Sequence, residues 1–166
     1  ERVLTEFRDE EKRQKFYMFF RELVDHMITK GVFIQKGPFI RREDFEIRFS
    51  ASQQDEIQRL LDIFASKPTQ PPSVAECKDI VGEEVYNGLL ALDNLKQLSA
   101  DVVFLPETFQ DMVTKLTEKI KADGPVTIAQ VRDLFDSSRK YILAFLEYLD
   151  GIGITVRDGD VRKLNE

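Results

Sequence analysis

The residues best suited to chemistry lie close together near the C-terminus. Ser137, Ser138, Arg139, Lys140 and Tyr141 follow one another, and Arg157, Arg162 and Lys163 come some twenty residues later. This is binding chemistry. Hydroxyls and backbone N–H groups at the start of a helix attract phosphate. A guanidinium pairs bidentately with a phosphate or a guanine edge, and an ammonium adds a mobile charge. Tyr141 could stack on a base or pack against the preceding helix. Catalytic alternatives are poorly supplied. The chain has one His (His26) and one Cys (Cys77), so no Cys/His metal cluster can be assembled and a Ser-His-Asp triad would have to use His26. His26 reads as a surface or boundary helix residue, and Cys77 as a small buried apolar one. No glycine-rich phosphate loop occurs. The expectation is a non-enzyme with no catalytic residue, no metal and no cofactor.

Those basic residues need a helix start and a hairpin to carry them, and the pattern around them supplies both. Thr127 with Gln130 forms an N-terminal capping box. Ile128, Val131, Leu134 and Phe135 are expected to face inward from the helix that follows. Asp136-Ser137-Ser138 is a turn. Arg139 to Asp150 is a second helix, with Ile142, Phe145, Leu146 and Leu149 as its buried face. Gly151 and Gly153 end it. Ile154–Arg157 and Val161–Leu164 are short strands around Asp158-Gly159-Asp160, a strong hairpin signal. Helix, turn, helix and hairpin together are the order of a winged helix-turn-helix, whose second helix reads nucleic acid from its N-terminal end.

The same order recurs upstream. Pro106 opens a long helix to about Ala122, with Phe109, Met112, Val113, Leu116 and Ile120 on one face. Before it, Ser52–Phe64 is a helix striped by Ile57, Leu60, Leu61 and Phe64. Lys67-Pro68-Thr69-Gln70-Pro71-Pro72 is a rigid, extended break. Ser73 with Glu76 caps a short helix. Glu83–Lys96 is a third helix, with Val85, Leu89, Leu92 and Lys96 in line. Gln97–Ser99 and Val102–Leu105 form a hairpin around Ala100-Asp101. The short Leu105-Pro106 link implies limited freedom between the last two repeats. At the start, Glu10–Lys30 is a helix with Phe16, Phe20, Leu23, Val24 and Met27 on one face, stopped by Gly31. Val32–Gln35 and Phe45–Phe49 are expected to pair, with Lys36, Arg41 and Arg42 at a basic tip. Val3, Leu4 and Phe7 look like a remnant of a preceding helix. The fold class is mainly α with small β-hairpins (α+β), in tandem winged helices: 1–50 incomplete, 51–105 complete, and 106–166 complete and carrying the candidate binding residues.

Charge narrows the partner. The chain of 166 residues has a hydrophobic fraction of 42%, a charged fraction of 33% and a net charge of −6. That fits a globular protein and argues against indiscriminate nucleic-acid binding. Residues 1–50 hold 11 basic and 10 acidic groups, residues 51–108 hold 4 and 10, and residues 109–166 hold 9 and 10. The middle repeat, with Glu83, Glu84 and Asn87 where the last has Arg139 and Lys140, is therefore expected to be a spacer or scaffold. No apolar run reaches the ~20 residues that cross a bilayer. With no leader and a single cysteine, a cytoplasmic monomer without membrane contact is expected. The chain does not begin with Met, so a piece of a longer protein is expected.

One resemblance adds to this. Ser138-Arg139-Lys140-Tyr141, Leu146-Glu147-Tyr148-Leu149-Asp150, Ile152-Gly153 and Gly159-Asp160-Val161-Arg162-Lys163-Leu164 resemble the end of the bacterial selenocysteine-specific elongation factors, the SelB family. Pro71-Pro72-Ser73 and Val102-Val103-Phe104-Leu105-Pro106 are similar more loosely. Residues 1–50 are similar in architecture alone. The resemblance implies the C-terminal part of a GTP-binding translation factor. Its GTPase and tRNA-binding domains would lie upstream, and its last winged helix would bind the selenocysteine insertion (SECIS) hairpin in mRNA, tethering the factor for UGA recoding at the ribosome. Here Ala144 stands where the family often has Pro, and Gly151 where it has a basic residue. Ile154–Arg157 is less basic than the usual wing start. These departures leave fewer phosphate contacts. From the residues alone, a DNA-binding regulator and a protein-interaction scaffold stay open beside the RNA reading.

Overall fold

A computed structural model describes residues 10–36, 39–42 and 45–165. The expected remnant at Val3, Leu4 and Phe7 and the Gly37-Pro38 tip lie outside the described residues. The chain divides into two compact units, Glu1–Ile47 and Arg48–Glu166.

In the first unit α1 spans Glu10–Thr29 and is followed by β1 (Phe33–Lys36) and β2 (Phe39–Arg42). Gly31 takes φ 74°. That left-handed turn lets the Val32 N–H donate to the Met27 carbonyl at 3.0 Å and closes the helix end. The second strand lies earlier than the expected Phe45–Phe49. Lys36 pairs with Phe39 and Phe33 with Arg42, so the two strands are close in sequence, and pairing near segments costs less chain entropy than a longer excursion. Arg41 and Arg42 therefore lie within a strand, opposite Ile34 and Phe33, not at a tip. The expected apolar face of α1 is only part covered: Phe16, Val24 and Met27 are half-buried, while Phe20 and Leu23 are exposed.

The second unit holds two complete repeats. The first has α2 (Ala51–Ser66), α3 (Val74–Val81), α4 (Glu83–Ala91), β3 (Lys96–Gln97) and β4 (Val103–Phe104). The second has α5 (Pro106–Asp123), β5 (Val126–Thr127), α6 (Ile128–Phe135), α7 (Arg139–Gly151), β6 (Thr155–Asp158) and β7 (Val161–Leu164). Capping boxes at Ser50/Gln53, Ser73/Glu76 and Thr127/Gln130 start α2, α3 and α6. In each, a side-chain oxygen takes a helix N–H that has no intrahelical partner, and the third residue reaches back. Two of these were legible; Ser50 starts α2 one turn-fraction earlier than the expected Ser52.

Three expectations need correction. Helix α4 stops at Ala91 instead of running to Lys96, because Asp93 turns left-handed with φ 57° and the Asn94 N–H returns to the Leu89 carbonyl at 2.8 Å. Leu92 is left 43% exposed and the buried place passes to Tyr86. Leu134 is 40% exposed, because α6 has only eight residues and turns Val131 and Phe135 inward. The last wing is a three-stranded sheet, β5-β7-β6. Its extra strand pairs Val126 with Arg162 and Thr127 with Val161, and two residues are too few to show a period. No described helix is long and apolar enough to cross a membrane.

Two apolar cores fill this unit, and one strand divides them. Val103 packs with Leu60, Phe64, Cys77, Tyr86 and Leu89 in the first repeat. Its neighbours Val102 and Phe104 pack with Phe109, Met112, Ile142 and Phe145 in the second. Successive side chains on an extended strand point to opposite faces, so β4 is the wall between the repeats. Phe104→Ala should lower stability by about 3–5 kcal/mol, the usual cost of deleting a buried ring, and denaturant melts of the wild type should show one transition for both repeats. Burial pushes the Cys77 thiol up to about 12. Because the reactive form is the thiolate, Cys77 should resist alkylation in the native chain at mildly alkaline pH and react once the chain is unfolded; a mass-shift assay reads this.

Candidate nucleic-acid interface

The candidate interface is built from the start of α7 and the β6–β7 wing. Helix α6 ends at Asp136, a left-handed residue with φ 45° whose N–H donates to the Arg132 carbonyl. The Ser137 N–H donates to the same carbonyl at 3.1 Å. This turn aims the start of α7 away from α6. Ser138 occupies the N-cap in extended conformation, and its hydroxyl makes no cap bond. The hydroxyl-bearing N-caps of α2, α3 and α6 all do. Arg139, next in line, is exposed and makes no hydrogen bond or ion pair among the described residues.

The neighbours of Arg139 are held by the preceding repeat. Ser137 is buried, and its hydroxyl donates to the Thr69 carbonyl at 2.5 Å. The Tyr141 hydroxyl donates to the Pro71 carbonyl at 2.8 Å, while its ring meets Phe104 edge-on with centroids 6.2 Å apart. Gln70 Nε2 donates to the Asp136 carbonyl at 2.9 Å. Lys140 pairs with the Asp101 carboxylate, and that hydrogen bond, together with the carboxylate's charge, raises the Lys140 pKa. The composition of the 67–72 link explains the choice of acceptors. The link is not the expected extended break, because it opens on a turn in which the Gln70 N–H donates to the Lys67 carbonyl at 3.2 Å; its prolines lack N–H donors, which leaves the Thr69 and Pro71 carbonyls for partners from elsewhere.

The wing supplies three more cations, used in two ways. Arg157 is exposed and its Nε donates to the Gly159 carbonyl within its own turn at 2.9 Å. Lys163 is half exposed and sits 3.0 Å from Asp158, an arrangement in water that adds little stability and yields readily to a competing anion. Arg162, directly opposite Arg157 in the register, is buried instead. It is 2% exposed, and its Nε meets Asp150 Oδ2 at 3.3 Å.

Of the eight residues marked out by sequence, Ser138, Arg139, Lys140, Arg157 and Lys163 reach solvent, Tyr141 is half-buried, and Ser137 and Arg162 are buried. Sequence reasoning missed Gln70, Asp101, Asp150 and Thr155. Their partners lie in other elements, and no local spacing signals them.

This architecture defines a tandem winged-helix protein, with five cations of the last repeat, Arg139, Lys140, Arg157, Arg162 and Lys163, at one helix start and one wing. Residues 118–164, from the end of α5 through the wing, match the family model described as elongation factor SelB, winged helix. No curated protein matches the chain. Two solved structures are similar in fold. One is the mRNA-binding domain of elongation factor SelB from E. coli in complex with SECIS RNA, with TM-score 0.56 and 22% identity, covering 71% of this chain and 100% of that one. The other is a bacterial selenocysteine-specific elongation factor, EF-Sec, with TM-score 0.56 and 18% identity, covering 95% of this chain and 26% of that one. The chain thus spans about a quarter of the length of the EF-Sec chain. It shares the fold of these two structures, and the family match is confined to residues 118–164.

Tyr141→Phe keeps the ring and removes the hydroxyl that joins α7 to the 67–72 link. It should lower stability by about 0.5–1.5 kcal/mol, the net worth of a typical hydrogen bond, read as a shift in urea midpoint with the slope unchanged.

Proposed function

We propose that this chain binds an mRNA stem-loop, the selenocysteine insertion element, as the C-terminal part of a selenocysteine-specific translation elongation factor. The observation that carries the reading is the family match over residues 118–164, which falls on the repeat where Arg139 stands exposed at a helix start whose N-cap hydroxyl is unengaged. On this reading residues 51–105 and 106–166 act as two winged helices, the second as reader and the first as its mount. The GTPase and tRNA-binding domains belong to upstream parts of the same cytoplasmic factor, and RNA binding tethers it near the ribosome. The chain itself performs no chemistry on the RNA.

The surface suits a hairpin better than a duplex. A-form RNA hides its base edges in a deep groove, so loop and bulge nucleotides carry the specificity. Arg139 and the Ser138 hydroxyl would meet phosphate and an exposed base at the loop, with Arg157 and Lys163 against the stem. Lys140 would join them by exchanging Asp101 for phosphate. Ser137, Tyr141 and Arg162 would act from behind this surface.

Arg139→Ala should weaken binding of the cognate hairpin by ~1–3 kcal/mol, the range for a bidentate base contact. If it grips phosphate instead, the slope of log affinity against log salt should fall by about 0.7–0.9. Fluorescence anisotropy with labelled hairpin, competed by unlabelled hairpin or duplex DNA, checks both. Preference for duplex DNA would favour a transcriptional regulator, and no binding to either would favour a protein-interaction scaffold.

A further inference from the structure

Asp150 lies in the last turn of α7, far along that helix from Arg139, and its carboxylate faces inward. Oδ1 accepts from the Thr155 hydroxyl at 2.6 Å, and Oδ2 lies 3.3 Å from Arg162 Nε. Both partners are 2% exposed. Thr155 is the first residue of β6, and Arg162 lies in β7, the central strand, opposite Val126 of β5 and Arg157 of β6. One carboxylate therefore ties the C-terminal turn of the recognition helix to both strands of the wing. A second tie runs alongside: the Asn165 N–H donates to the Ile154 carbonyl at 3.0 Å, and its side-chain amide to the Gly153 carbonyl at 3.1 Å.

Burying a guanidinium is costly unless it is well paired, and an apolar pair of the same volume often serves stability as well or better. What an ion pair with a hydroxyl adds is direction. It fixes the wing at one angle to the helix, where apolar packing would tolerate several.

We propose that Asp150, Thr155 and Arg162 are positioning residues for RNA binding, holding the wing cations Arg157 and Lys163 at a set distance from Ser138 and Arg139 without themselves touching RNA. This rests on the RNA-binding reading above. The sign of one effect separates it from simple electrostatics. Removing a negative charge from an RNA-binding surface ordinarily strengthens binding. Removing Asp150 should weaken it, because the wing loses its angle.

The test uses the full chain and a labelled selenocysteine-insertion hairpin, with anisotropy measured across a salt series at a temperature where circular dichroism shows each variant folded. Asp150→Asn and Arg162→Met should each weaken binding about tenfold, the scale of a lost hydrogen bond to a charged group. The salt slope should stay at the wild-type value, since no phosphate contact is deleted. Arg162→Lys should recover most of the affinity. Wild-type or tighter binding by Asp150→Asn would overturn the proposal and leave the RNA reading standing. A salt slope lowered by about 0.7–0.9 in Arg162→Met would also overturn it, by making Arg162 a phosphate ligand. Should Asp150→Asn fail to fold, Thr155→Val decides: weaker binding at unchanged slope supports positioning, and unchanged affinity overturns it. If the wild-type chain binds no hairpin, the RNA reading fails and this proposal falls with it.

Discussion

The last two repeats depend on the alternation of side chains along β4. A winged-helix hairpin normally keeps one face on its own core and shows the other to solvent. Here Val102 and Phe104 leave the repeat that makes them and enter the next one's core, while Val103 stays behind. Neither core is complete without that strand. The Leu105-Pro106 junction follows directly, and Pro106 at the first position of α5 starts the next helix with no spare residue for a swivel. The consequence is mechanical: the last repeat is mounted on its neighbour through buried apolar surface, and polar contacts then fix the details.

Those polar contacts follow from the same crowding. Once Phe104 sits against Tyr141, the start of α7 lies beside the proline-rich link. The link has carbonyls to satisfy, and Ser137 and Tyr141 have hydroxyls to donate. The wing turn of the first repeat is anchored too, because the Val74 N–H donates to the Asp101 carbonyl at 3.2 Å. That anchoring presents the Asp101 carboxylate to Lys140. The middle repeat, acidic and without an Arg-Lys pair at α4, thus has a physical task that a bare spacer would not have: it sets the orientation of the helix start.

Much of this was legible in the sequence, and the boundary of legibility is physical. Capping boxes at Ser73 and Thr127, the stripe on α5, the α7 face and the Asp158-Gly159 turn are local, so spacing alone reveals them. The early end of α4 was hidden because a left-handed Asp93 has no glycine to announce it. The second strand of the first hairpin lies elsewhere than the sequence suggests because Phe45–Phe49 has a stronger β pattern than Phe39–Arg42, the segment that pairs with β1. At the candidate site, residue types showed where cations gather, and burial decided which of them point outward. Arg157 and Arg162 look alike in sequence, yet they pair across the wing and one is exposed while the other is buried. Nothing local distinguishes them, since the carboxylate that draws Arg162 inward belongs to α7.

The electrostatics of the whole chain then make sense at the scale of single groups. A net charge of −6 would repel a polyanion at long range, but beyond about 8–10 Å at physiological salt that field is screened. What remains is the arrangement within a Debye length of the site. There, among the described residues, Arg139 stands without a carboxylate, Arg157 turns to a neutral carbonyl, and Lys140 and Lys163 each rest on one exposed aspartate. Exposed ion pairs of this kind are worth little in water, so phosphate can replace either aspartate at small cost. The Asp150–Arg162 pair cannot be exchanged so cheaply, because Arg162 is 2% exposed and a guanidinium left alone in the interior is strongly unfavourable. The same two residue types therefore serve opposite ends within one hairpin: at the surface the pairs are exchangeable, and beneath it the pair is fixed and holds the exchangeable ones in register.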